Sequence, residues 1–424
     1  MFKEKQTRWS RLDNAAKIFP ATSGKKDARV FRFACELTEE VDANILQQAL
    51  EETIEYFPFF RSVLRKGLFW YYFESSDLKP VVKEEYKLPC SNLFIRDKKS
   101  LLFEVTYYKR RINLEVYHAL TDGTGALQFL KRLVYCYLRK LHPDKVTEDE
   151  EGLGYDATNS EKQDDSFQKY YEKGKKAHDI PKYKSYQLQG IKCDYGHMKI
   201  IEGVVSAKEL LVKARQHNTT ITVFLTAIYL CSIEKEMSLR QRKKPIALMV
   251  PVNLRNFFPS ESARNFFGWI DVGYNFSTQS NQFDDIVSYL SEFFRKEITS
   301  ERMAMRMNHF IGLEVNPFLR IAPLELKILF LQLGARMSSS SDTAIFSNIG
   351  KITMPKQCEP YIRLFDVFTS TPKVELCMCS FQDNLVLSFT SAFESTNIER
   401  NFFRMLTSMG LEVEIASKQY RKDL

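Results

Sequence analysis

The chain has 424 residues, with 61 Lys and Arg against 53 Asp and Glu, a formal net charge of +8, and hydrophobic and charged fractions of 44% and 27%. Those fractions exclude a disordered chain, and the length exceeds one ordinary core, so two domains or two equivalent halves are expected. The charge is spread out: Lys109-Arg110-Arg111 and Arg240-Gln241-Arg242-Lys243-Lys244 read as solvated turns or surface, not as a nucleic-acid face.

In chain order, residues 30–37 read as a strand, and Asp42 caps a helix with Leu46, Ala49, Leu50, Ile54 and Phe57 at helical spacing, which Pro58 ends. Strands are expected at 59–64 and 68–73 around an Arg-Lys-Gly turn, and a second hairpin at 101–108 and 112–117 around Lys109-Arg110. A helix over 125–141 buries Leu127, Leu130, Leu133, Val134, Tyr137 and Leu138. Residues 142–196 are polar, with runs at 148–151 and 173–176, and suit a linker between a half at 1–180 and a half at 181–424.

The second half repeats the grammar: a strand at 199–205, a capping box at Ser206-Ala207-Lys208-Glu209, and an apolar helix capped by Asn218-Thr219-Thr220. Strands follow at 246–252, 272–276, 344–347, 363–368, 374–381 and 385–390, with helices at 283–298, 324–336 and 397–409. The apolar stretch 319–333, interrupted by Arg320, Glu325 and Lys327, suits packing on a core better than peripheral contact with a membrane or a lipid-like substrate. The longest apolar run, 221–233, is too short to span a bilayer, and Met1-Phe2-Lys3-Glu4-Lys5 lacks a signal-peptide core.

The eight cysteines form no Cys-x-x-Cys pair, so no zinc framework is expected, and a reducing cytoplasm fits them. Chemistry concentrates at Tyr117-His118-Ala119-Leu120-Thr121-Asp122-Gly123, where alternation carries His118 to the face of Ile112, Leu114 and Val116. Imidazole is the side chain suited to general base work near neutrality, whereas a lone histidine on an apolar face is otherwise a satisfied core residue.

His118-x-x-x-Asp122-Gly123, between a strand and a helix, resembles the signature of the chloramphenicol acetyltransferase-like superfamily. That group includes alcohol acetyltransferases, polyketide-associated and plant BAHD acyltransferases, and condensation domains. The opening Trp9-Ser10-Arg11-Leu12-Asp13-Asn14-Ala15-Ala16-Lys17 with Phe19-Pro20 is similar to the bacterial alcohol acetyltransferase-like members. Pro58-Phe59-Phe60-Arg61, Val250-Pro251-Val252-Asn253-Leu254-Arg255, Asn265-Phe266-Phe267-Gly268 and Ser347-Asn348-Ile349-Gly350 extend the likeness over most of the chain. Condensation domains usually carry a second histidine where Tyr117 stands, which favours a free-standing acyltransferase.

The resemblance implies an α+β fold of two tandem sandwich halves with an active-site tunnel between them. It implies an O-acyltransferase that moves an acyl group from CoA to an alcohol, with acyl-CoA as cosubstrate and no permanent cofactor or metal. His118 is the expected base. No Gly-x-Ser-x-Gly elbow occurs, so direct attack is expected over an acyl-serine.

Asp122 is either a second acid–base group or, as the resemblance favours, a structural anion paired with Arg61 or, second, Arg11. Gly123 and Gly125 are turn glycines or points of close substrate approach. Ser347 and Asn348 are oxyanion candidates or a strand-end turn, and Trp269 is a tunnel candidate. Arg255 suits a structural ion pair better than a CoA phosphate. The expected partners are a CoA thioester and a small alcohol, with a monomer and a cytoplasmic location. The alternatives are a condensation-like enzyme using an amine or a carrier thioester, and a non-catalytic binding relative.

Overall fold

The computed structural model describes residues 9–96, 98–147, 153, 165–172, 184–314 and 320–418. The acidic run at 148–151, the lysine run at 173–176 and the 180/181 boundary lie outside them. The architecture is α+β in two lobes.

In the first lobe a five-stranded sheet runs Ile362–Thr369, Val30–Leu37, Arg111–Tyr117, Phe103–Tyr108, Lys83–Glu84. The Val30–Leu37 strand is buried at every position. Its odd residues are apolar, and the helices Ala43–Tyr56 and Gly123–Leu141 pack together on this lobe. Its even residues carry cross-strand charge pairs: Arg32 opposite Glu115, at 2.7 Å, and Glu36 opposite Arg111, at 2.8 Å. A three-stranded sheet, Trp9–Arg11, Tyr71–Ser75, Ser62–Lys66, flanks it.

The second lobe is a seven-stranded sheet in the order Phe267–Tyr274, Ile246–Asn253, Ala344–Ile352, Val374–Phe381, Asn384–Ser391, Lys199–Ser206, Glu414–Lys418. The helix Ile221–Glu234 is apolar almost all round because it is enclosed by Phe283–Glu297 and Asn397–Ser408.

The lobes interlock. The Ile362–Thr369 strand, late in sequence, pairs with Val30–Leu37 of the first lobe and lies against Val374–Phe381 and Asn384–Ser391 of the second. Arg111 adds an ionic tie, reaching Glu36 on its own sheet and both carboxylate oxygens of Glu202 on the other, at 2.8 and 2.7 Å. Arg363 joins Glu36 and Glu414 to the network. The reading of residues 109–111 as plain solvated surface therefore fails at Arg111, whose partners are far away in sequence.

Other expectations shift. Residues 58–61 form a 3-10 turn that buries Phe59 and Phe60, and the strand starts at Ser62, because Pro58 fixes its φ at the turn's first position. The strand expected at 272–276 runs from Phe267 to Tyr274, paired with Ile246–Asn253 over its whole length. The helix Ser300–Glu314 has no counterpart in the sequence reading, since Glu301, Arg302 and Arg306 interrupt a stripe whose buried members are Met303, Met307 and Ile311. The Glu414–Lys418 edge strand also has none.

The helix Leu324–Ser339 contradicts the packing expectation for 319–333. It buries Leu324, Lys327 and Ile328, while Leu326, Leu329, Phe330, Leu333 and Met337 face solvent. Leu319 lies outside the described residues. Among the described residues no helix is long and apolar enough to cross a membrane.

Candidate active site

His118 follows directly on the Arg111–Tyr117 strand, with its backbone N–H held by the Arg29 carbonyl at 2.8 Å. Its half-buried ring is sandwiched by aromatics: Phe19 stacked at 4.5 Å between centroids, Phe31 edge-on at 5.0 Å and Phe267 at 5.5 Å. Burial lowers its pKa below 6.5, opposed by hydrogen bonds to its own carbonyl and to Asn265 and by the Asp122 charge. The ring is therefore neutral at pH 7.

Its Nδ1 lies 3.1 Å from the Asn265 Oδ1, and the Asn265 amide donates to the Asp13 Oδ2 at 3.2 Å. The Asp13 Oδ1 accepts the Ala16 N–H at 2.7 Å. With the amide oriented in this way, Oδ1 can only accept, so Nδ1 carries the proton and Nε2 keeps its lone pair. Burial pushes the Asp13 carboxyl up to about 7. Asn265 stands in a segment that the sequence reading singled out, but with no role attached. The sequence offers no signal that links positions 13, 118 and 265.

Asp122 caps the Gly123–Leu141 helix, its Oδ1 accepting the Gly125 N–H at 3.1 Å. Its Oδ2 accepts from Arg255 at 2.7 Å and from the Phe266 N–H at 2.8 Å. Both oxygens are thus engaged away from the histidine ring. The expected partner was wrong: Arg61 pairs with Glu55 at the surface, and Arg11 is exposed, its backbone carbonyl accepting from Arg264. Arg255 wins because it rises from the turn after Ile246–Asn253, directly across from the helix start. It also donates to the Ser262 and Arg264 carbonyls, pinning the loop that brings Asn265 to His118.

The glycines differ. A Cβ on Gly125 would stand 2.1 Å from the Ala263 carbonyl oxygen, so its absence lets loop and helix touch. Gly123 faces the cavity, where a Cβ would meet Ile349 at 3.2 Å.

A cavity of about 360 Å3 opens beside His118. Alternate residues of three adjacent strands form one wall: Met249 and Pro251, Ile345 and Ser347, Glu375 and Cys377. Ser347 lines it, and its hydroxyl makes no hydrogen bond among the described residues. Asn348 is tied to Thr222 at 2.9 Å and accepts the Gly350 N–H at 2.8 Å. The pairing register slips between Asn348 and Gly350, a bulge that Gly350 permits with φ of 88°. Trp269 is not among the lining residues; it packs on Phe310 at 4.6 Å. Phe19 and Glu375 line the cavity without having been read as site residues.

Two further hollows share walls with this one. A cleft of about 960 Å3 shares Pro251, Val252, Asn253, Asn348 and Ile349, and carries Arg215, Arg295 and the N-terminal turn of Ile221–Glu234. On the other side a hollow of about 400 Å3 shares Asp27, Ser370, Thr371 and Pro372. Among the described residues no three His, Cys, Asp or Glu side chains are grouped to hold a metal.

No curated protein matches the chain. Among solved structures, it is similar to polyketide synthase associated protein 5 from Mycobacterium tuberculosis, at 14% identity over 94% of this chain and 97% of that one, with a TM-score of 0.60. The first condensation domain of the CDA synthetase aligns at 13% identity over 98% and 100%, with a TM-score of 0.65. TRI101 of F. graminearum, solved in complex with coenzyme A and T-2 mycotoxin, aligns at 11% over 95% and 97%, with a TM-score of 0.60. At these identities the likeness establishes the two-lobed fold. The model of the alcohol acetyltransferase family matches residues 157–409, more than half the chain, and on that match the protein belongs to the alcohol acetyltransferase family and is an acyltransferase.

Proposed function

We propose that the protein transfers an acyl group from a CoA thioester to an alcohol, with His118 as general base. One observation carries the reading: an imidazole in a cavity, its Nδ1 engaged by the Asn265 Oδ1 and its Nε2 without a hydrogen bond among the described residues. The acceptor's O–H proton passes to Nε2 as its oxygen bonds to the thioester carbonyl carbon. The tetrahedral centre collapses with cleavage of the C–S bond, and the imidazolium returns the proton to the thiolate, leaving ester and free thiol. The unengaged Ser347 hydroxyl is the donor available to the oxyanion. Asp122 and Arg255 hold the loop that carries Asn265 and take no proton.

In this reading the shared walls make one tunnel through the molecule. The wide cleft, with Arg215, Arg295 and a helix N-terminus, suits the polyanionic CoA, and the acceptor enters from the opposite side. The eight free cysteines suit a reducing cytoplasm.

The test is release of free thiol from acetyl-CoA with a panel of alcohols. His118→Ala should abolish it without loss of fold, and undiminished release would remove His118 from the mechanism. Offering amines and carrier-bound thioesters in parallel separates this activity from a condensation-like one.

A further inference from the structure

Around His118 the cavity is aromatic, with Phe19, Phe31, Phe33 and Phe267 in its wall. Its other end is different. Glu375 lines it while only 7% exposed. No cation pairs with this carboxyl among the described residues, and its one hydrogen-bond partner is the weak Cys377 thiol, at 3.8 Å.

The nearby charges are spent. Asp27 accepts the Arg29 N–H and the Ser370 hydroxyl at 2.8 and 2.9 Å, and it forms an ion pair with the Arg29 guanidinium at 3.2 Å. On the adjacent strand Thr390 stands opposite Glu375 in register, and its buried Oγ1 has no hydrogen-bond partner among the described residues.

Glu375 shares its rung of the sheet with Ile345 and Met249. The residues that this cavity has in common with the wide cleft lie farther along those strands, at 251–253 and 348–349. Those it has in common with the opposite hollow, Ser370, Thr371 and Pro372, immediately precede the Glu375 strand. Glu375 thus belongs to the side opposite the wide cleft, which on the proposed reading is the acceptor's side.

Burial, helped by the Asp27 charge and only partly offset by Arg29, raises the Glu375 carboxyl to about 8, so it holds its proton at neutral pH. In that form it both donates and accepts, which matches a hydroxyl and not an ammonium group.

We infer that Glu375 is an acceptor-recognition residue, and that the natural acceptor is an apolar molecule bearing a second hydroxyl at a distance from the one that is acylated. This rests on the acyl-transfer reading above. A site built to hydrogen-bond a hydroxyl discriminates against the analogue that lacks it, because its own polar group is then left unpaired.

The experiment compares a series of α,ω-diols with the matching 1-alkanols, using acetyl-CoA as donor. Wild-type protein should favour one diol length over its 1-alkanol in kcat/KM. That ratio should fall about tenfold in Glu375→Leu and stay within about twofold in Glu375→Gln, the size of one hydrogen bond to a neutral partner. Equal use of diols and alkanols by the wild type overturns the inference, as does an unchanged ratio in Glu375→Leu. Preference for an ω-amino alcohol over the diol also overturns it, since that requires an ionised carboxylate. Ligand-observed NMR with the same diols and alkanols gives the binding preference without turnover. Selective diol binding that is lost in Glu375→Leu, with no thiol release from any alcohol, would keep the subsite and discard acyl transfer to alcohols.

Discussion

Asn265 and His118, 147 residues apart in the chain, are joined by a hydrogen bond of 3.1 Å between Oδ1 and Nδ1. This contact selects the tautomer that leaves Nε2 basic, and Asp13 selects the orientation of the amide that makes it.

Substitution of Asn265 should therefore change how activity depends on pH. In the wild type kcat/KM should rise through a pKa below 6.5 and be level at neutrality, because burial depresses the His118 pKa. Asn265→Asp puts a carboxylate on Nδ1, which favours the imidazolium and moves that limb about one unit higher. Asn265→Ala leaves the ring unoriented and should lower kcat by up to about a hundredfold, with a smaller change in KM. Steady-state kinetics from pH 5 to 9 read both effects, and an unshifted limb in Asn265→Asp would separate Asn265 from the chemistry.

The Asp122–Arg255 pair predicts a loss of stability first. The pair is nearly buried, with the two side chains 6% and 11% exposed. Removal of either partner strands a charge, so Asp122→Ala and Arg255→Ala should each lose roughly 3–5 kcal/mol in urea unfolding. Arg61→Ala, at an exposed pair with Glu55, should lose less than about 1 kcal/mol. A stable Asp122→Ala without turnover would mean that the carboxylate acts in catalysis after all.

Local patterns in the sequence accounted for local structure. The strand before His118 and the caps at Asp42, Ser206 and Thr220 are found, although that strand is buried on both faces, and the Gly123–Leu141 helix buries the expected stripe except Leu127, which lines the cavity. What escaped was set by tertiary distance. Arg111 looks like the end of a solvated run because its partner Glu202 lies in the other lobe, and neither Arg61 nor Arg11 but Arg255, 133 residues away, pairs with Asp122. Glu375 carries no signal of its own within the strand at 374–381, and only the pairing of three strands puts it in the same cavity as His118.

Gly125 offers a test that is independent of chemistry. Any side chain there collides with the Ala263 backbone and with Thr121, whose hydroxyl already bonds to the Ala263 carbonyl. Backbone cannot give way as a flexible side chain can, so Gly125→Ala should lose about 1–3 kcal/mol and loosen the loop that carries Asn265. Gly123→Ala meets only the tip of Ile349 and should unfold near the wild-type midpoint. Denaturant melts of the two variants, side by side, decide whether Gly123 or Gly125 makes the close approach.

Glu375 also predicts how stability varies with pH. Its carboxyl titrates near 8 in the folded protein against an ordinary value of 4.5, because burial and the Asp27 charge outweigh the Cys377 hydrogen bond and Arg29. Between those values the folded state holds one proton more than the unfolded state, so stability falls as pH rises and levels off above about 8. Asp13, Asp271 and Glu399, each raised to about 7, slope the same way, so the wild-type curve alone cannot isolate Glu375. The difference between wild type and Glu375→Gln can. It should be constant near pH 4 and then shift against the wild type up to pH 8, by at most a few kcal/mol at about 1.4 kcal/mol per unit. Parallel urea-unfolding curves over that range would show a carboxyl that titrates normally, open to water and not enclosed in the cavity wall.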